Sequence, residues 1–473
     1  MMKENNEVTG RFLERFHTNE SELVSLVEEI LFKADDGELY AERIESESIV
    51  LDDRRIEEPN FSIFQGFGLR RVEGLCVGYV SSDIFSTEEI RQKGLDLSGS
   101  LFEKSHHPII NKIQGVPMYV QRTALTKDLA ERIELLREIE SYIRGKDDRV
   151  QNVSVGLMGE NKEVFLVRPD GLVRSEIRPL IRMSISVVVG DVGSQSFGGR
   201  YDYANLFDPK VWKKYADAAL RTALLCSEAK PCPAGKMDVI LSSGWSGVLL
   251  HEAFGHMLEG DFISNGSSDF VGKKGCRIAS EGVTVVDQGN IPDRRGSSTF
   301  DDEGTPTQKT ILVENGILVR YMHDRLSARI LGEQSTGNGR RQDYMHAPIP
   351  RMTNTYMEAG PHSPKDIIAA TENGIYVEEL GGGQVDITTG QFDFTVKLAW
   401  RIKNGNLVEP VKGAEIIGSG QKALLSVDMV GNDLSLDSGT GTCGKSGQGV
   451  PVGIGQPTIR IQKGGLTVGG TEI

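Results

Sequence analysis

The sequence predicts an α+β fold in two parts: an N-terminal α/β domain over residues 1–230 and a β-rich domain over residues 231–473. Three observations lead there. In the first half, amphipathic runs at helical spacing alternate with strand-like runs. At Lys230-Pro231-Cys232-Pro233-Ala234-Gly235, two prolines and a glycine interrupt regular structure. Past that break, short apolar runs are separated by glycine turns and helical periodicity becomes scarce.

The elements follow in order. Leu23, Leu26, Val27, Ile30, Leu31 and Ala34 recur at helical spacing. Residues 68–81 have the composition of a strand. A second amphipathic helix should run from Thr126, read as its N-cap, to Gly145, read as its stop. Its apolar face is Leu129, Ile133, Leu136, Ile139 and Ile143. Between residues 150 and 192, β-rich segments broken at Glu160-Asn161-Lys162 and Pro169-Asp170-Gly171 predict an antiparallel meander. A third helix should begin at Asp208-Pro209 and end near Cys226. No repeat at a fixed period is visible.

Composition excludes several classes. Of the 473 residues, 38% are hydrophobic and 25% charged, a globular balance. The net charge of −14 argues against nucleic acid, whose phosphates need clustered Lys and Arg. No apolar run is long enough to span a bilayer, and the opening Met1-Met2-Lys3-Glu4 is polar, so the expected location is the cytoplasm with no membrane partner. The five cysteines, Cys76, Cys226, Cys232, Cys276 and Cys443, are too sparse and scattered for a disulfide framework.

The sharpest local feature is His251-Glu252-Ala253-Phe254-Gly255-His256. It follows a short apolar strand, Val239-Ile240-Leu241, a polar loop, and Gly247-Val248-Leu249-Leu250, which opens a helix. Neutral imidazoles suit zinc and other late divalent metals. A carboxylate beside the first histidine can take a proton from an attacking water and return it to the leaving amine. The zincin His-Glu-x-x-His helix uses the same logic. Here the histidines are one residue further apart. Positions five apart on an α-helix differ by about 140° around the axis, so a regular helix cannot aim both at one ion. A π-type turn would realign them, and Gly255 between them eases that distortion.

A third ligand is needed. Cys443 lies in the glycine-rich run Gly439-Thr440-Gly441-Thr442-Cys443-Gly444-Lys445-Ser446, where the backbone can approach closely. On residues alone, a buried free thiol in a tight turn is the commoner reading. The same run matches the P-loop pattern from Gly439 to Ser446. However, the glycines and prolines that follow cannot sustain the helix that holds phosphate in a true P-loop. A cysteine nucleophile at Cys443 with a histidine base remains open. Asp301-Asp302-Glu303-Gly304 and Gly337-Asn338-Gly339-Arg340-Arg341 could line a site, although such runs are more often solvated loops.

Taken together, these motifs resemble the TldD/PmbA family. The matching stretches are residues 247–256, 301–307, 336–342, 350–355 and 441–445, which span most of the C-terminal half. The resemblance implies an intracellular metallopeptidase acting on unfolded or partly degraded peptides. It places metal ligands on His251, His256 and Cys443, and the catalytic glutamate on Glu252. It leaves the metal open between zinc and iron, which the residues do not settle; zinc is the first expectation. It also implies a metal-free sister subunit; because a peptidase of broad specificity needs an enclosed site, the expected assembly is a dimer, either a homodimer or a heterodimer with that sister. Two alternatives are a catalytically silent metal-binding subunit of a protease complex and a cysteine hydrolase using Cys443.

Overall fold

The computed structural model describes residues 2–98, 127–201, 203–386 and 389–470. Long antiparallel strands organise the N-terminal half: β1 (Asp36–Asp52), β2 (Asn60–Glu73), β3 (Cys76–Ser82), β4 (Asn152–Val167), β5 (Val173–Val189) and β6 (Asp191–Gly199). They pair in the order β3-β2-β1-β4-β5-β6, each neighbour antiparallel. Successive side chains on a strand point to opposite faces, so one face of this sheet can be apolar throughout. Leu39, Ala41, Ile49 and Leu51 of β1 occupy that face.

Helices cover the apolar face as two groups. Helices α1 (Met2–Arg15), α2 (Glu20–Ile30) and α3 (Thr87–Ser98) bring Phe12, Leu23, Val27 and Ile90 onto Leu39 and Ala41. Helices α4 (Leu129–Arg144) and α5 (Pro209–Glu228) bring Leu136, Ile139, Trp212 and Ala219 onto Ile49 and Leu51. At about 1.5–3 kcal/mol per fully buried large apolar side chain, this layer holds the sheet and its helices together. On the other face Tyr40 packs with Phe300 and Tyr344 from the C-terminal half.

Several local expectations shift. Helix α4 is capped by Asp128, whose Oδ1 accepts from Glu131 N at 2.8 Å; Thr126 lies outside the described residues. Residues 68–81 form two strands, because Gly74 turns the chain at φ 58°. Glu160-Asn161-Lys162 does not break the meander: β4 runs through it. Lys162 is spent on Glu42 of neighbouring β1, at 2.6 Å, rather than on a turn. The turn at Pro169-Asp170-Gly171 does form, with Gly171 at φ 78°. Helix α5 starts where expected, with Asp208 capping Lys210 N, and continues to Glu228.

Lys230-Pro231 is not a complete stop. It pairs parallel with the end of the strand Asn406–Lys412, at the edge of a nine-stranded sheet. An edge tolerates proline because its missing N–H costs no interior ladder bond. In the same sheet β7 (Asp238–Leu241) pairs parallel with β8 (Asn373–Asp386). A separate two-stranded ribbon, β9 (Thr442–Lys445) and β10 (Gln448–Pro451), follows the glycine-rich run. Then β11 (Ile459–Ile461) closes the other side of β7, antiparallel. Among the described residues no helix is long and apolar enough to cross a membrane.

Candidate metal centre

The site begins where β7 ends. The chain leaves Leu241 through a loop in which Gly244 adopts φ 84°, and it enters the next turn at Gly247. A Cβ on Gly247 would lie 2.7 Å from the Gly455 backbone, so the turn is clamped against a neighbouring strand that only glycine can approach. One α turn, Val248–Leu250, then widens into a π turn, His251–Gly255. The His256 N–H donates to the His251 carbonyl, five residues back. This widening is what the five-residue spacing demands, and it brings the two imidazole centroids within 5.2 Å. Leu250, Ala253, Phe254 and Met257 anchor the segment in the C-terminal core. Gly255 touches Met352: a Cβ there would sit 2.2 Å from the Met352 sulfur.

Cys443 arrives from β9. Strand alternation buries Cys443 and Lys445 while Thr442 and Gly444 face outward. Sγ of Cys443 lies 3.2 Å from Nε2 of His256. One ligand-capable atom from each of His251, His256 and Cys443 falls within 4.8 Å of the others. The structure therefore brings the three together. His323 and His346 are engaged elsewhere, with Ser327 and Asp343.

The electrostatics of the three differ. Burial alone would push the Cys443 thiol up, but the adjacent His251 and His256 imidazoles bring it down to about 4. His256 donates from Nδ1 to Oε2 of Glu259 at 2.9 Å, which leaves Nε2 facing Cys443. Burial pushes the Glu259 carboxyl up; His256 and Lys445 outweigh it and hold it at about 2. His251 is 2% exposed, yet neither ring nitrogen has a hydrogen-bond partner. Glu252 stands on the accessible side, 29% exposed, with a carboxylate oxygen 3.7 Å from His256 Nε2.

Two neighbours escaped the sequence reading, Glu259 and Lys445. Each has a spacing signal: Glu259 is a carboxylate three residues after His256, and Lys445 shares a strand face with Cys443. As expected, no helix follows the P-loop-like run, which leads instead into the β9–β10 ribbon. The acidic and arginine-rich runs do not form solvated loops. Asp301, Asp302, Glu303 and Arg341 are buried, and the last three knit the two halves through Arg178–Asp302, Arg70–Glu303 and Arg341–Glu38.

PmbA/TldA metallopeptidase models match in three consecutive stretches: domain 1 over residues 37–94, the central domain over 122–226, and the C-terminal domain over 234–470. The chain belongs to the PmbA/TldD metallopeptidase family. Within that family it is 42% identical over 454 residues to the metalloprotease TldD homolog of Haemophilus influenzae, covering 93% of each chain. It is 40% identical to the TldD homolog of Buchnera aphidicola, covering 98% of this chain and 99% of the relative. The crystal structure of TldE from Thermococcus kodakarensis superposes with a TM-score of 0.75 over 95% of this chain and 99% of that one. At 19% identity it establishes the shared PmbA/TldD fold.

Proposed function

We propose that the chain is a metal-dependent peptidase of the HExxxH type. In this reading His251, His256 and Cys443 hold one divalent ion and Glu252 is the general base. The observation that carries it is His251. Leaving a buried polar group without a partner costs on the order of 1–3 kcal/mol, and this one sits beside a second imidazole and an ionised thiol. Two imidazoles and a thiolate are the donor set of a late divalent metal, so the residues present fit the group. Zinc is the first choice and iron the second.

When bound, such an ion supplies Lewis acidity toward the scissile carbonyl and the attacking water. Glu252 accepts the water's proton and delivers it to the leaving amine. Its partial exposure lets it meet substrate, unlike the buried ligands. The substrates proposed are short or unfolded peptides. Among the described residues strand β9, which carries Cys443, pairs with β10 alone, and a Cβ at Gly444 would meet no atom within 4 Å. An extended peptide could lie along that edge, with its main chain supplying the hydrogen bonds. The proposed assembly is a dimer, with itself or with a metal-free sister chain.

A second reading, a cysteine hydrolase, draws on the 3.2 Å Cys443–His256 contact and the ionised thiol. Metal analysis separates the two readings. The metallopeptidase should retain about one divalent ion per chain and lose peptide cleavage on chelation. Activity that survives thorough chelation and dies on mild alkylation would instead establish the cysteine hydrolase.

A further inference from the structure

We propose that Glu259 and Lys445 are positioning residues, a buried ion pair that orients His256 and locks the strand of Cys443 onto the histidine turn. The inference rests on the metal reading above. Glu259 is fully buried, and its Oε2 accepts from both His256 Nδ1 and Lys445 Nζ at 2.9 Å. Its Oε1 accepts from Met352 N at 3.3 Å. Lys445 Nζ also donates to Asp261 Oδ1 at 2.8 Å and to the Pro350 carbonyl at 3.0 Å, so its three protons all have acceptors.

Geometry gives this pair its meaning. Residues two apart on a strand share a face and stand roughly 7 Å apart. Strand β9 thus grips the segment after the π turn at two points: Cys443 meets His256, and Lys445 meets Glu259 and Asp261. Burying an ion pair is expensive, and apolar side chains of similar size would pack at least as well. The return here is orientation. A carboxylate on Nδ1 fixes the ring so that Nε2 faces Cys443, the side on which an ion would be held, and such partners raise a ligand's affinity for metal. The lysine of the P-loop look-alike therefore serves the metal centre rather than a phosphate.

The test uses the full chain, stripped of metal and titrated with Co²⁺ against a competing chelator. The thiolate-to-cobalt absorption band is followed as well. Lys445→Met and the charge-neutral double variant Glu259→Gln/Lys445→Met should bind Co²⁺ about 10- to 100-fold more weakly, with an altered band. Thermal melts of the metal-free proteins establish folding. If the double variant does not fold, Glu259→Gln alone is read the same way, because it keeps the size of the side chain. A folded variant with wild-type affinity and spectrum overturns the positioning role and leaves the metal reading standing. A wild-type chain that binds no Co²⁺ overturns both.

Discussion

Cys443 Sγ lies 3.2 Å from His256 Nε2, although 187 positions separate the two residues. The proposed donor set therefore exists only when the β9–β10 ribbon is docked on the π turn. An ion that binds the folded chain and not the unfolded one raises stability by mass action, about 2.7 kcal/mol at a hundred times Kd. Adding zinc to stripped protein should raise its melting temperature. Cys443→Ala, His251→Ala and His256→Ala should each erase that rise and the retained metal, measured by elemental analysis after dialysis. Full metal content in Cys443→Ala would move the third ligand elsewhere.

Glu252→Gln separates chemistry from binding. The substitution keeps the three proposed ligands and removes the proposed base. Metal content should be unchanged, while peptide cleavage falls by about 10²- to 10⁴-fold. A variant that loses its metal would show that the carboxylate is itself a ligand.

How much of this was legible in the sequence depends on the range of the interaction. The π turn could be read from the five-residue His spacing and Gly255, because helical geometry is local. The capping of α5 by Asp208 was equally local. The role of Glu160-Asn161-Lys162 was not, since Lys162 is satisfied by Glu42 of a strand over a hundred residues earlier. The burial of Asp302 and Arg341 was hidden for the same reason. A charged run reads as solvated until its partners, here Arg178 and Glu38, are brought in by the fold. Cys443 stood between the two cases: on residues alone a buried free thiol was the commoner reading, the family resemblance made it a candidate ligand, and tertiary structure sets it beside His256.

Gly255→Ala tests the π turn directly. The added methyl would collide with the buried Met352 sulfur, and Met352 is also tied by its backbone to Glu259 and Arg340. Overpacking of this kind costs about 1–3 kcal/mol. The variant should melt earlier and bind metal more weakly, with both effects read from thermal scans with and without zinc. Unchanged values in both scans would show that the turn has room to relax.

The joint between the two halves should be sensitive to acid. Burial raises the Asp302 carboxyl, but Arg178, Lys162 and Arg341 pull it from 3.8 down to about 2. The folded state therefore holds the ionised form more tightly than the unfolded state does. That stabilisation is complete above pH 3.8 and is lost as the pH falls through about 2. Asp302→Asn should destabilise the chain at neutral pH by about 1–3 kcal/mol, because Arg178 loses one of its two buried carboxylate partners and keeps Glu176. It should also flatten the stability profile between pH 4 and 2. Denaturant titrations across that range measure both, and a variant whose profile parallels wild type would remove Asp302 from the acid transition.

The last prediction concerns what is cut. Recognition along a strand edge uses the substrate's main chain and carries little side-chain information, so cleavage should be broad in sequence. A broad peptidase spares folded proteins only if access is restricted to extended chain. The three proposed ligands are buried, with His251 and His256 2% exposed and Cys443 1% exposed, whereas the Glu252 side chain is 29% exposed. A folded substrate cannot offer an extended segment to such a recess without local unfolding, whereas a short or denatured peptide can. Enclosure by a second subunit would narrow access further, so the active species should have the solution mass of a dimer, either of this chain alone or with a metal-free sister chain. Digestion of one protein in its folded and its reduced, unfolded form, alongside a mass measurement of the enzyme, checks both points. The unfolded form should disappear while the folded form persists. A monomer that cleaves both forms at equal rates would rule out the enclosed site and leave the roles proposed for His251, Glu252, His256 and Cys443 untouched.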